Sequence, residues 1–502
     1  MTKMAADDQE QQLVLPILLL LASLFITLKY FRSPSSKQTK LPPGPKPWPI
    51  LGNLLQIGED AHASMTRFAQ AYGPLISLRL GGQLLVVASS PDAAAVVLKT
   101  QDRLLSARYI FQTVHDEALH RECSFVFSPE CNDRWRKVRS ICRANLFTAK
   151  AIDSQANLRR MKMDEMVEFL VSKQGSVVEI RDFVFTTVFN ILSNFIFSRD
   201  LFDFVGDGFN GIKASLKKMV TLGLTPNLAD YYSLLRNLDL QGLRKKATIY
   251  RKQIDSAWKE LIDERRKIHL QNSPNFVARD FLDVLIQSQF NDEQINHLIV
   301  EIFLAGTDTT TMTVEWAMAE MLKQRDIMAK VREEMKREIN NQSTVDESKI
   351  SQLHYLWKCV KETLRLHPPA PFLLPRVAPT DCELMGYSIP KDTLIFVNVW
   401  GIGRDPSLWE DSLSFNPERF TDCDVDFKGY DYRYLPFGGG RRICPGLPMA
   451  SVQIPLILAT LIHNFELSLP NGQDFSKLDL DGKLGVTLQK KKPLQLILQK
   501  RL

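Results

Sequence analysis

At 502 residues the chain exceeds the size at which one hydrophobic core stops growing, so one large domain or two sub-domains is expected. Apolar residues make up 45% and charged residues 24%, which excludes disorder of the whole chain. Lys+Arg 63 against Asp+Glu 57 gives a net charge of +6, too small and too dispersed for a nucleic-acid surface but compatible with an anionic membrane face or an acidic protein partner.

The first predicted element runs from Gln11 to Leu28 without a charge and would span roughly 27 Å as a helix, close to the hydrocarbon core of a bilayer. Asp7, Asp8 and Glu10 precede it and Lys29, Arg32, Lys37 and Lys40 follow it, so the positive-inside rule leaves the bulk of the chain in the cytosol. The acidic start and the lack of a small-residue cleavage site favour an uncleaved anchor over a signal peptide. Residues 1–40 are thus read as a membrane anchor with a basic linker, and 41–502 as the domain behind it. Seven cysteines, an odd number with no C-x-x-C pair, suggest neither a disulfide scaffold nor a zinc site and fit reduced thiols in the cytosol.

Behind the anchor, LPPGPKPWPILGN is a stiff extended strap, because each proline fixes its own φ and restricts the residue before it. LISLRLGGQLLVVAS alternates about Gly81-Gly82 and predicts a hairpin, after which Ser90-Pro91 starts a helix. From about 130 to 340 the periodicity is almost wholly helical; from about 375 to 435 short apolar pieces alternate with proline and glycine and predict small sheets. The fold class is mainly α with small β-sheets.

Three stretches carry candidate chemistry. PFGGGRRICPG at 436–446 sets Cys444 among glycines and arginines. A thiolate is a strong donor to a soft or redox-active metal, and glycines let backbone N–H groups approach it; a surface turn with a free cysteine has the same composition. NDEQINHLIVEIFLAGTDTTTMTVEWAMAEMLK opens on the capping-box pair Asn291 and Gln294 and is helical to about Lys323, yet holds Gly306 and a run of threonines at its middle, poor helix formers. Thr309 lies over Ala305 and Gly306, where a gap for a diatomic ligand could open, and Asp308 could pass protons toward it; a slightly distorted core helix is the plainer alternative. KETLRLHPP puts Glu362 and Arg365 on one helical face; surface ion pairs of this spacing are common and worth little, so the pair by itself reads as structural.

FGGGRRICPG resembles the F-x-x-G-x-R-x-C-x-G haem loop of the cytochrome P-450 superfamily, matching at Phe437, Gly440, Arg442, Cys444 and Gly446. The resemblance implies a P-450 fold, haem b with Cys444 as its metal ligand, and a haem pocket of Pro436, Phe437, Arg442 and Gly446. AGTDTT resembles the motif whose acid and alcohol support dioxygen activation, which implies catalytic roles for Asp308 and Thr309 beside a haem-facing Ala305. WRKVR implies Trp135 and Arg139 at a propionate, and FLLPR implies Arg376 there. Glu362 and Arg365, completed by Arg419 of FNPERF, are the family's structural E-x-x-R set.

No G-x-G-x-x-G follows a strand, so electrons must come from a partner. The resemblance implies a monomeric plant microsomal enzyme of the endoplasmic reticulum, using O2 and electrons from NADPH delivered by the membrane-bound reductase. Arg134, Arg136 and Lys137 are candidates for docking it, or merely a solvated helix surface. ECNDRWRKVRSICRANLF, FNDEQINHLIVEIF and MGYSIPKDT look like the families that oxidise benzylisoquinoline alkaloids by ring hydroxylation or phenol coupling, such as N-methylcoclaurine hydroxylases and berbamunine and corytuberine synthases. Terpenoid hydroxylases are the alternative, and a membrane-anchored haem protein without turnover is the alternative of another class. Substrate contacts are expected from loops around 106–125, 220–232, 371–374 and 482–487, including Phe372, Leu373 and Val486. Glu301, on the stripe with Ala305 and Thr309, is a candidate counter-charge for an amine, unless it satisfies amides of a neighbouring loop.

Overall fold

The computed structural model describes residues 40–501 except 115–116, 207–210, 272–276 and 340–343, together with Ser23. The expected anchor lies outside the described residues. Among them, the helices Ile180–Phe197 and Leu447–Asn464 are long and apolar enough to cross a membrane, but both are packed inside the globule.

Strands β1 (Leu75–Leu80) and β2 (Gln83–Ala88) form the expected hairpin, in register from Leu75↔Ala88 to Leu80↔Gln83. The next helix, α1 (Pro91–Ala95), has Ser90 as its cap, its hydroxyl accepting the Ala93 amide at 3.2 Å. Two short helices follow, α2 (Glu117–Cys123) and α3 (Asp133–Cys142), the second capped by the Asn132 side chain. Then come β3 (Val177–Glu179), α4 (Ile180–Phe197), α5 (Leu228–Tyr231), α6 (Leu243–Gln271), α7 (Asp292–Lys323) and α8 (His354–Leu366).

Short strands fill the next stretch: β4 (Arg376–Val377), β5 (Cys382–Leu384), β6 (Tyr387–Ile389) and β7 (Leu394–Val397). The chain closes with α9 (Leu447–Asn464), β8 (Phe465–Ser468), β9 (Gly482–Leu484), β10 (Leu488–Lys490) and β11 (Gln495–Lys500). One sheet, in the order β1-β2-β7-β4, joins the two ends of the chain, with β2 parallel to β7 from Leu85↔Leu394 to Ala88↔Val397.

Helix α7 runs through the middle and packs against α4, α8 and α9. Its capping box is formed, and it continues as helix through Gly306 and the threonines, so those weak formers are carried by tertiary packing. Its rotation is set by aromatic rings: Phe303 stacks on Phe189 at 4.2 Å and on Trp258 at 5.4 Å. Ala305, two residues on, therefore faces the opposite way. At Gly306 the two helices approach closely: a Cβ there would lie 2.9 Å from Leu192 Cδ1 on α4, so a larger residue would make that side chain shift.

The Glu362–Arg365 pair is no surface bridge: both side chains are fully buried. Arg365 donates twice to Glu362, at 2.7 and 2.8 Å, and also to the carbonyls of Gly403, Ser412 and Ser414. Arg419 Nε reaches Glu362 at 2.9 Å, completing the expected triad. The network ties α8 to the meander before the haem-type loop, and breaking it strands buried charge. Arg365→Lys keeps the charge but has too few donors for these acceptors. It is expected to cost about 2 kcal/mol, read as a lowered thermal unfolding midpoint.

Candidate active site

A cavity of about 1650 Å3 lies between α7 and the loop 436–446. Its floor is Pro436 to Gly439, Arg442 and Cys444 to Gly446; its roof is Ile302, Ala305, Gly306, Thr309 and Thr310. The loop holds its shape through left-handed glycines and a few backbone bonds. The Cys444 amide donates to the Phe437 carbonyl at 3.0 Å, and the Arg441 amide to Asp102 Oδ2 at 2.9 Å. Gly440 has φ +67, and a Cβ there would fall 2.2 Å from the Leu98 carbonyl oxygen. Gly440→Ala is expected to cost about 1–3 kcal/mol in strain alone and to lower the amount of correctly assembled protein, measured by haem content per chain.

Cys444 lines the floor. Burial raises its thiol pKa, against the opposing effect of the Gly446 and Leu447 amides and of Arg139. Four arginines border the same cavity: Arg108, Arg139, Arg376 and Arg442. Arg139 donates to the Ile443 carbonyl at 2.5 Å, Arg108 to Leu374 O at 2.7 Å, and Arg442 to the carbonyls of Ser106, Phe125 and Ser128. The carboxylate of Asp102, 3.4 Å from Arg376, is the ion-pair partner given to any of the four among the described residues. Burial, with Arg376, Arg442 and Arg139 nearby, drives the Arg108 pKa well below its ordinary value, and burial pushes Arg442 down to about 10. The Nε atoms of Arg108 and Arg376 are buried without a hydrogen bond. This corner holds more positive charge than the protein neutralises.

The roof carries the acid and the alcohol. Thr309 donates to the Ala305 carbonyl one turn back at 2.7 Å, and Ala305, Gly306 and Thr309 all line the cavity. Asp308 is not on the cavity surface. Its Oδ2 accepts the hydroxyl of Thr487 at 2.5 Å, and burial raises its pKa against the pull of Thr487, Arg181 and Lys217.

Pro436, Phe437, Arg442, Cys444, Gly446, Arg139, Arg376, Ala305 and Thr309 thus meet at one cavity, as do Phe372, Leu373 and Val486. All four expected loop segments contribute to its wall. Two other expected residues are placed differently. Trp135 stands behind the wall: its indole N–H donates to Phe125 O at 3.1 Å, and its ring lies 4.8 Å from the Arg442 guanidinium and 5.3 Å from that of Arg139, so it supports the arginines from behind. Glu301 borders the cavity, but its oxygens accept the Ser124 hydroxyl and the amides of Phe125 at 3.1 Å and Val126 at 3.4 Å. Those bonds commit the carboxylate to the loop and leave it ill placed as an amine counter-charge. Two residues escaped the sequence reading. Arg108 stood in plain view after Ser106 and Ala107 but has no spacing signal, and Thr487 sits 179 residues from its partner.

Comparison with known proteins decides the family. The family profile described as cytochrome P450 matches residues 42–498. The chain belongs to the cytochrome P450 family. It is 46% identical over 488 residues to (S)-N-methylcoclaurine 3'-hydroxylase isozyme 1 of Eschscholzia californica, covering 96% of this chain and 99% of that one. It is 43% identical over 461 residues to corytuberine synthase of Coptis japonica, covering 90% and 92%. As a cytochrome P450 it is a monooxygenase-type oxidoreductase that uses haem b, O2 and electrons from NADPH passed on by the reductase, and acts on a small molecule. The cavity fits that cofactor on its own terms. A thiol at the floor, flanked by an excess of buried guanidinium groups with two orphaned Nε atoms, is the donor set for a metal carried on a dicarboxylate ring.

Proposed function

We propose that Cys444 is the thiolate that ligates the haem iron, that Arg108, Arg139, Arg376 and Arg442 hold the two propionates, and that the enzyme oxidises a benzylisoquinoline alkaloid. The observation that carries this reading is the opposition of Cys444 and the Ala305–Thr309 turn across one cavity. The bound haem supplies oxygen activation with strong electron donation from sulfur. The protein's part is to exclude bulk water with Phe111, Phe125, Phe372 and Phe396, to carry Thr309 on the cavity wall, and to keep behind it the Asp308 carboxyl, whose pKa burial raises.

The named substrates of the relatives, and an apolar, aromatic-lined cavity large enough for a multi-ring molecule, support the alkaloid reading. Microsomes supplied with reductase and a panel of benzylisoquinolines and terpenoids test it. A benzylisoquinoline product heavier by one oxygen indicates hydroxylation, and one lighter by two hydrogens indicates coupling. Turnover of terpenoids alone overturns the substrate class. Because the Glu301 oxygens already serve the loop, Glu301→Gln is expected to bind amine and neutral ligands with an unchanged affinity ratio, measured by spectral titration.

Residues 1–40 serve in this reading as a single-pass anchor in the endoplasmic reticulum, with residues 41–502 as a monomeric cytosolic haem-thiolate domain. Support comes from exposed apolar side chains on the strap and the short helix after it (Trp48, Leu55) and on the segment after α5 (Leu234, Leu240). The Tyr232 hydroxyl, bonded to Ile50 O at 3.3 Å, brings the two segments side by side. Arg134, Arg136 and Lys137 are exposed on α3 and offer a basic surface to the acidic reductase.

A further inference from the structure

We propose that His120, His297 and Glu301 form a binding site for a divalent transition-metal ion of the zinc type, separate from the haem, that staples Val114 and residues 117–126 to helix α7. The three residues come from two elements: α2 supplies His120, and α7 supplies His297 and Glu301 at i, i+4 spacing. One donor atom from each lies within 4.8 Å of the other two, and all three side chains are buried.

The distances suit the chemistry. His297 Nε2 is 3.5 Å from Glu301 Oε1. That is close to the edge of a tetrahedron whose metal–ligand bonds are roughly 2.0–2.1 Å. His297 Nε2 is buried with no hydrogen bond, although an acceptor stands near it. The rings of His120 and His297 meet edge to face with centroids 4.7 Å apart, which brings their nitrogens together without stacking.

The surroundings complete the argument, because metal ligands are held by partners of their own. His120 Nε2 lies 3.2 Å from the Val114 carbonyl; an N–H donated there leaves Nδ1 as the lone-pair nitrogen. Glu301 is oriented by the Ser124 hydroxyl and the amides of Phe125 and Val126. Arg251 Nη1 is 3.5 Å from His297 Nδ1, but its Nε is anchored on Asp255 at 3.0 Å, so it can give way when the ring proton moves to Nδ1.

Two imidazoles and one carboxylate, with a fourth position for water, select zinc over magnesium or calcium, which want oxygen ligands. Val114, Phe125 and Val126 of the tied segment line the substrate cavity, so the ion also stiffens one of its walls.

The test uses purified full-length holoenzyme, dialysed against micromolar zinc and then against metal-free buffer, with metal counted per haem. The expected result is one zinc per haem in the wild type, at least tenfold weaker retention in His297→Ala and in Glu301→Gln, and a zinc-dependent rise in thermal midpoint only in the wild type. X-ray absorption at the zinc edge on the wild type alone should show nitrogen and oxygen ligands at about 2.0–2.1 Å, a result independent of whether either variant folds. No retained zinc, sulfur ligation at the zinc edge, or wild-type retention in a folded His297→Ala protein overturns the proposal.

Discussion

Cys444→Ser is expected to reduce turnover to background while leaving a folded protein. Serine is close to isosteric with cysteine, and the loop geometry does not depend on sulfur: the Cys444 amide bond to Phe437 O and the Arg441 bond to Asp102 survive the exchange. What changes is the donor. A serine hydroxyl stays protonated near neutral pH and is a hard ligand, whereas a thiolate is soft and strongly donating. The four arginines remain, so the variant should still take up haem through the propionates, with lower retention. The ferrous, carbon-monoxide-treated spectrum reports the ligand directly: the sulfur-ligated band should be absent and the far-ultraviolet dichroism unchanged. A Cys444→Ser protein that keeps that band would remove Cys444 from the iron and, with it, the reading of the whole cavity.

The parts of this site legible in the sequence are those where chemistry is packed into consecutive residues. FGGGRRICPG and AGTDTT each put ligand, charge and flexible backbone within one turn or loop, and both meet at the cavity. The hairpin at 75–88 and the helix opening at Ser90-Pro91 were readable because period and cap are local properties. What stayed hidden depends on contacts between distant segments. Arg108 joins the arginine corner only because a β-bridge pairs it with Arg376, 268 positions along. Glu301 shared a helical stripe with Ala305 and Thr309, which suggested a cavity charge. Its partners Ser124, Phe125 and Val126 come from a loop whose path no periodicity describes. The same limit made the Glu362–Arg365 pair look like an ordinary surface bridge, because burial depends on what packs over a helix and not on its own spacing.

Thr487 is the most consequential of the hidden partners, because it controls the acid. Asp308→Asn is expected to lower kcat by on the order of 10²-fold, with little change in KM, since general acid catalysis contributes about 10²–10⁴-fold. Asparagine keeps an oxygen for the Thr487 hydroxyl and so preserves the turn at 485–487, but it has no carboxylic proton to give. Burial raises the Asp308 pKa above the ordinary carboxyl value. The protonated donor form predominates below that raised value and is lost as pH rises through it, so wild-type kcat should fall with rising pH in that range while the Asn variant stays flat. The Thr487 hydroxyl favours the ionised form and pulls the pKa down. Thr487→Val should therefore move the fall in kcat to higher pH, and Thr487→Ser should restore it. Val486 and Thr487 both line the cavity, so this hydrogen bond sits at its wall. Steady-state kcat against pH for the four proteins, with NADPH consumed per product formed, separates these outcomes. An Asp308→Asn enzyme with wild-type kcat, or a Thr487→Val profile superimposable on the wild type, would show that the proton reaches the cavity by another route.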